Sequence, residues 1–174
     1  MILIVAGVAG SGKTTVGALI AGSRHWRFAD ADSFHSEANI AKMRAGLPLT
    51  DADREPWLDA IGDWMDERIA AGESAVVACS ALKRSYRDRL VSGRPEARIV
   101  FLEATPEELH DRIATRPGHF FPAKLLTSQL AALEPPTPDE NVLTVHTSAD
   151  PNVTAERVLT ALAPSHTDSG HCAT

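Results

Sequence analysis

Gly7-Val8-Ala9-Gly10-Ser11-Gly12-Lys13-Thr14 follows directly on the apolar run Ile2-Leu3-Ile4-Val5 and fits the pattern G-x-x-x-x-G-K-[ST]. The spacing has a mechanical reason. Glycines let the backbone curl until its amide N–H groups converge on phosphate oxygens, and a helix starting at the lysine adds the positive end of its dipole. Lys13 can then reach the β- and γ-phosphates, and the Thr14 hydroxyl can hold Mg²⁺. A chance glycine-rich turn would lack the flanks. Here a strand-like run precedes the loop, and Val16, Leu19 and Ile20 follow at helical spacing. The expectation is a nucleotide site built from Gly7, Gly10, Ser11, Gly12, Lys13, Thr14 and Thr15, taking ATP with Mg²⁺.

The rest of the chain alternates strands and helices without repeats or an internal linker. Strands are expected at residues 2–6, 27–29, 74–79, 98–102 and 142–146. Helices are expected at about 13–23, 36–45, from 53 or 56 to Gly72, 83–91, 106–116, 125–133 and 153–162. Trp57, Leu58, Ile61, Trp64, Met65 and Ile69 make the apolar stripe of the longest helix, and the tryptophans read as core. Thr105-Pro106-Glu107-Glu108 reads as a capping box with proline at the first helical position. This pattern predicts an α/β fold of three layers, a five-stranded parallel sheet with helices on both faces and a lid. One domain is expected over residues 1–163, with the lid at about 116–124 and a disordered tail at 164–174. Ligands of such folds bind at the carboxyl ends of the strands, so the residues just after each strand are the functional candidates. After the fifth strand these are Thr147, Ser148, Ala149 and Asp150.

Composition narrows the partners. A net charge of −6 over 174 residues argues against nonspecific binding to nucleic acid or to an anionic membrane. No apolar run is long enough to span a bilayer, and Met1 leads into a strand with no signal peptide in between. Cys79 and Cys172 are not expected to pair, which suits a reducing cytoplasm. An acidic protein that binds ATP must concentrate its cations locally, so the arginine and lysine clusters carry information.

Asp30 and Asp32 follow the second strand. Two carboxylates beside Mg²⁺-ATP can divide the work, one on the metal side and one taking a proton from an attacking hydroxyl. Asp32 is read as the base and Asp30 as the metal partner. The third strand ends in Cys79-Ser80 without the aspartate that many phosphate-loop enzymes carry there, and no N-K-x-D motif is present, which argues against a GTPase switch. Lys83 and Arg87 lie four apart after that strand and could dock an anion. Arg112, Arg116 and His119 lead into Arg116-Pro117-Gly118-His119-Phe120-Phe121-Pro122, read as a lid whose arginines neutralise charge on the transferred phosphoryl group. Arg112 and Arg116 are thus nucleotide candidates, and Arg116 also a catalytic one.

Four stretches together resemble a known family. They are Gly7 to Thr15; Asp30 to His35 with Asn39 to Leu58; Cys79-Ser80-Ala81-Leu82-Lys83 with Tyr86-Arg87-Asp88; and Gly118-His119-Phe120-Phe121 with Ser128 to Pro135. The phosphate loop is generic, but the other three together are specific to the small bacterial-type gluconokinases, relatives of shikimate and adenylate kinases. The resemblance implies ATP-dependent phosphorylation of D-gluconate at its 6-hydroxyl, and it leaves room for a homodimer. It implies a cation for the carboxylate among Arg54, Lys83 and Arg87, and polar groups for the hydroxyls among His35, Lys42, His119 and Gln129. Two rivals remain at this point. A shikimate-type kinase would share the charge logic, and a nucleotide-binding regulator would need neither a base nor a cationic lid.

Overall fold

The computed structural model describes residues 1–114 and 123–163. The strands β1 (Ile2–Ala6), β2 (Arg27–Asp30), β3 (Ala75–Ala78), β4 (Ala97–Glu103) and β5 (Leu143–His146) form one sheet in the order β2-β3-β1-β4-β5, with every neighbouring pair parallel. Between them run α1 (Lys13–Arg24), α2 (Glu37–Arg44), α3 (Asp51–Ala70), α4 (Arg84–Val91), α5 (Pro106–Ala114), α6 (Ala123–Ala132) and α7 (Pro151–Leu162), with 3₁₀ turns at Ala31–Phe34 and Pro138–Glu140. This is the expected α/β layer fold. The lid at about 116–124, apart from the start of α6, and the tail at 164–174 lie outside the described residues.

The layers follow from the period-2 alternation of a strand covered on both faces. Ile2, Ile4 and Ala6 face one way and pack with Trp57, Leu58, Ile61 and Met65 of α3 and Leu90 of α4. Leu3 and Val5 face the other way, onto Val16 and Ile20 of α1 and Ala155 and Val158 of α7. Trp57 is buried as expected, and its Nε1 donates to the Ala31 carbonyl at 2.7 Å. A third cluster of Val8, Leu82, Leu109 and Leu126 seats α5 and α6 against the phosphate loop.

Several boundaries shift by a residue or two, and the early start of α3 has a clear cause. α3 starts at Asp51 because Thr50 and Asp53 cap it reciprocally, the Thr50 hydroxyl accepting from the Asp53 amide and the Asp53 carboxylate accepting from the Thr50 amide. The box before α5 forms as expected, with the Thr105 amide donating to Glu108 at 2.7 Å. Among the described residues no helix is long and apolar enough to cross a membrane. β1 lies between β3 and β4, so the chain reverses its direction of winding around β1 and opens a crevice at the strand's carboxyl end. The phosphate loop fills that crevice.

Candidate active site

Gly7 opens the loop at φ 141°, and a Cβ there would lie 2.7 Å from Ser11 Oγ and 2.9 Å from the Leu102 carbonyl oxygen. Only glycine fits that close approach. Gly12, at φ 90°, caps α1 without any side-chain acceptor, and the first turn holds no acidic residue. No side chain caps this helix start, and its dipole favours an anion there. Lys13 Nζ folds over the loop onto the Val8 carbonyl at 3.3 Å. The Gly7 amide donates to the Ser80 carbonyl, which ties the loop to the end of β3.

A cavity of about 420 Å³ runs from the loop, along Gly10 to Val16, to Arg112 and Ile113 and to the segment after β5. The Arg112 guanidinium lies on its wall, donating to Thr147 Oγ1 at 2.9 Å and to the Ser148 carbonyl at 3.3 Å. Its size and shape suit a nucleotide whose phosphates sit in the loop and whose base reaches Ser148 and Ala149.

On the other side of the loop stand the two aspartates. Thr14 Oγ1 donates to Asp30 Oδ2 at 2.8 Å, while Asp30 Oδ1 accepts from the Asp32 amide at 3.0 Å. Asp30 is thus drawn toward the first turn of α1, and the Asp32 side chain stays 90% exposed. A hydroxyl and a carboxylate side by side are the hard oxygen donors that Mg²⁺ takes in small number, keeping waters and phosphate oxygens for the rest. His35 lies under Asp32, stacked on Trp57 at 4.7 Å with Nε2 4.0 Å from Asp32 Oδ1. Burial lowers its pKa, Asp32 opposes that, and Arg54 adds to it. Cys79, at the end of β3, is fully buried, and burial pushes its thiol up to about 12. Lys13 and Arg54 pull that thiol down and Asp32 pushes it up. The first turn of α1, two aspartates and a stacked histidine therefore meet at the carboxyl end of β2.

The chain as a whole has known counterparts. A family model described as an AAA domain matches residues 2–136. The chain is 47% identical over 157 residues to the gluconokinase of Gluconobacter oxydans (strain 621H), covering 90% of this chain and 88% of that protein. It superposes on the crystal structure of a gluconokinase from Sinorhizobium meliloti 1021 with a TM-score of 0.82 at 43% identity, covering 92% of this chain and 90% of that one. The chain belongs to the gluconokinase family. Shikimate kinase from Aquifex aeolicus vf5 shares the fold, with a TM-score of 0.60 at 17% identity over 93% of this chain and 96% of that one.

Seen as a gluconokinase-family site, several expected residues change part. Arg87 is a correction. Its side chain is 1% exposed and paired with Glu140, itself 2% exposed, through Nε to Oε2 at 2.6 Å and Nη2 to Oε1 at 2.9 Å. Nη1 donates to the carbonyls of Ala81, Leu82 and Glu134. All its donors point inward, so it offers no free guanidinium to a substrate carboxylate. It holds the β3–α4 loop, where Ala81 sits at φ 43°. A left-handed alanine costs about 1–3 kcal/mol and persists only where its surroundings impose it. Lys42 is bound to Asp53 at 2.6 Å and ties α2 to the start of α3. Gln129 Oε1 accepts from the Ala9 amide at 2.7 Å, so α6 touches the phosphate loop directly. Arg116 and His119 lie outside the described residues.

Tyr86 and the pair Asp51–Lys83 carry no signal in the sequence spacing. Lys83 Nζ donates to both Asp51 oxygens at 2.7 and 2.8 Å, and the Tyr86 hydroxyl makes a short hydrogen bond to Asp51. Ser148 and Ala149, candidates from the strand-end rule, line the cavity that starts at the phosphate loop.

Proposed function

We propose that this chain transfers the γ-phosphoryl group of ATP to the 6-hydroxyl of D-gluconate, giving 6-phospho-D-gluconate and ADP. The observation that carries the reading is the Thr14–Asp30 contact with the open Asp32 carboxylate beside the phosphate loop, in a chain of the gluconokinase family. In this reading the loop amides and Lys13 hold the β- and γ-phosphates, and Arg112 lines the nucleoside end of the cavity. Thr14 and Asp30 are the residues to hold Mg²⁺, which when bound offsets phosphate charge. Asp32 takes the proton of the attacking hydroxyl as its oxygen bonds to the γ-phosphorus. The bond from that phosphorus to the bridging oxygen breaks, and ADP leaves with the electron pair. Lys13, and Arg116 from the lid, stabilise the charge that spreads over the phosphoryl oxygens. On the family likeness, Arg54 and Lys83 are the cations for the gluconate carboxylate and His35, Lys42, Gln129 and His119 the partners of its hydroxyls, Lys42 and Gln129 only by giving up their contacts to Asp53 and the Ala9 amide. The proposal extends to a cytoplasmic protein, which suits a buried free thiol at Cys79, and, on the family likeness alone, to a homodimer.

The test is a coupled assay of ADP release with gluconate, other sugar acids, glucose and shikimate. Gluconate should be turned over with the highest kcat/KM. A preference for shikimate would promote the shikimate-type reading, and nucleotide binding without turnover on any acceptor would promote the regulator.

A further inference from the structure

Asp51, Lys83, Tyr86 and Arg54 form a cluster whose geometry exceeds what an exposed ion pair needs. The Asp51 carboxylate is 62% exposed, yet it receives both oxygens' worth of contact from Lys83 Nζ and a hydrogen bond from Tyr86. Lys83 Nζ lies 5.6 Å from the Tyr86 ring centre and Arg54 Cζ lies 6.0 Å from it. The ring is therefore a common platform for two cations. Arg54 has no carboxylate on it among the described residues, in a protein whose acidic side chains outnumber its basic ones, 23 to 17. The Lys83–Asp51 hydrogen bond is the first of the contacts that hold Asp51 ionised, with Tyr86 next. An ammonium and a phenol hydroxyl on one carboxylate, with a guanidinium over the same phenol ring, make a carboxylate-binding site. The chain's own Asp51 fills it.

We infer that Lys83, Tyr86 and Arg54 are the subsite for the acceptor's carboxylate, and that Asp51 is its resident stand-in, displaced when the acceptor binds. The inference rests on the proposed gluconate reading and deepens it. Tyr86 gains a substrate contact, and Asp51 becomes a competitor of the substrate. Position supports exchange over a fixed strut. Asp51 is the first residue of α3 and Lys83 the residue just before α4, so both side chains stand at helix starts, and the Asp51 carboxylate is largely exposed. Arg54 lies one helical turn before Trp57 in α3, and His35 stacks on Trp57 with its Nε2 4.0 Å from Asp32, so the cluster stands on the Asp32 side of the molecule.

The test uses the full-length enzyme with saturating ATP and two acceptors of one shape, gluconate and its uncharged amide. Variants are Asp51→Asn, Tyr86→Phe and Lys83→Met, each with its melting temperature. Wild type should favour gluconate over the amide. Tyr86→Phe and Lys83→Met should raise KM for gluconate, leave the amide almost unmoved and so shrink that preference. Asp51→Asn keeps an oxygen for Lys83 and Tyr86 but removes the charge. It should lower KM for gluconate about two- to fivefold, the size of releasing an exposed ion pair, with KM for ATP unchanged. A higher KM in Asp51→Asn, or equal losses on acid and amide in the other two, makes Asp51 a prop for the loop and overturns the inference alone. Wild type that fails to phosphorylate gluconate overturns the parent reading and this one with it.

Discussion

The Thr14 hydroxyl meets Asp30 Oδ2 at 2.8 Å and so links the first turn of α1 to the end of β2, although β3 separates β2 from β1 in the sheet. The contact gives the two aspartates unequal surroundings. Asp30 is engaged on both oxygens, by Thr14 and by the Asp32 amide, while Asp32 faces the cleft. Asp30→Asn should therefore raise the Mg²⁺ concentration for half-maximal rate about ten- to a hundredfold. Metal titrations at fixed ATP read this directly, and the same titration on Asp32→Asn should be close to wild type. The reverse pattern would exchange the two roles.

Asp32→Asn should lower kcat by about 10²–10⁴-fold with little change in ATP affinity, because an amide cannot take the hydroxyl proton. Stopped-flow nucleotide binding beside steady-state turnover separates the two effects. Loss of both together would make Asp32 a binding residue.

Lys13→Ala should cost about 10²–10³-fold or more in kcat, since its charge stabilises the phosphoryl oxygens during transfer. Its side chain contacts the loop through the Val8 carbonyl and is not part of the core. Thermal unfolding should therefore shift by no more than ~0.5 kcal/mol. A variant that is inactive because it is unfolded would be recognised in the same melt.

The buried pair Arg87–Glu140 sets an acid limit on stability. The Arg87 guanidinium lowers the Glu140 carboxyl from 4.5 to about 2, against an opposing effect of burial. A carboxyl depressed in the folded state binds fewer protons there than in the unfolded chain. Its contribution is present above pH 4.5 and is lost as pH falls toward 2. Glu140→Gln should remove that part of the pH dependence. It should also destabilise the protein at neutral pH by about 3–5 kcal/mol, because a buried guanidinium is left unpaired. Denaturant melts from pH 7 down to the acid transition, on both proteins, check each half. An unchanged acid slope would mean that other carboxylates dominate.

Much of the fold was legible because parallel strands covered on both faces are short runs of apolar residues between turn signals. Ile2–Ala6 and Ala75–Ala78 are buried throughout and stand out for that reason. The phosphate loop was legible because its glycines answer to backbone geometry. What escaped was pairing at long range. Arg87 sits in Lys83-Arg84-Ser85-Tyr86-Arg87-Asp88-Arg89, a run whose polarity reads as a solvated face, yet it is among the most buried side chains. Its partner Glu140 lies in a 3₁₀ turn 53 residues on, where no periodicity points at it. Asp51 escaped likewise, as it looks like an ordinary first-turn acid until Lys83 and Tyr86 come back to it from 32 and 35 residues away.

Transfer to the primary hydroxyl of gluconate is read by phosphorus NMR of the reaction of ATP with gluconate, wild type beside Asp32→Asn. Wild type should give one new phosphomonoester signal, coupled to the two protons of a CH₂ group, growing as ATP is consumed and nearly absent in Asp32→Asn. A product coupled to a single CH proton, or ATP loss that yields only inorganic phosphate, would contradict it.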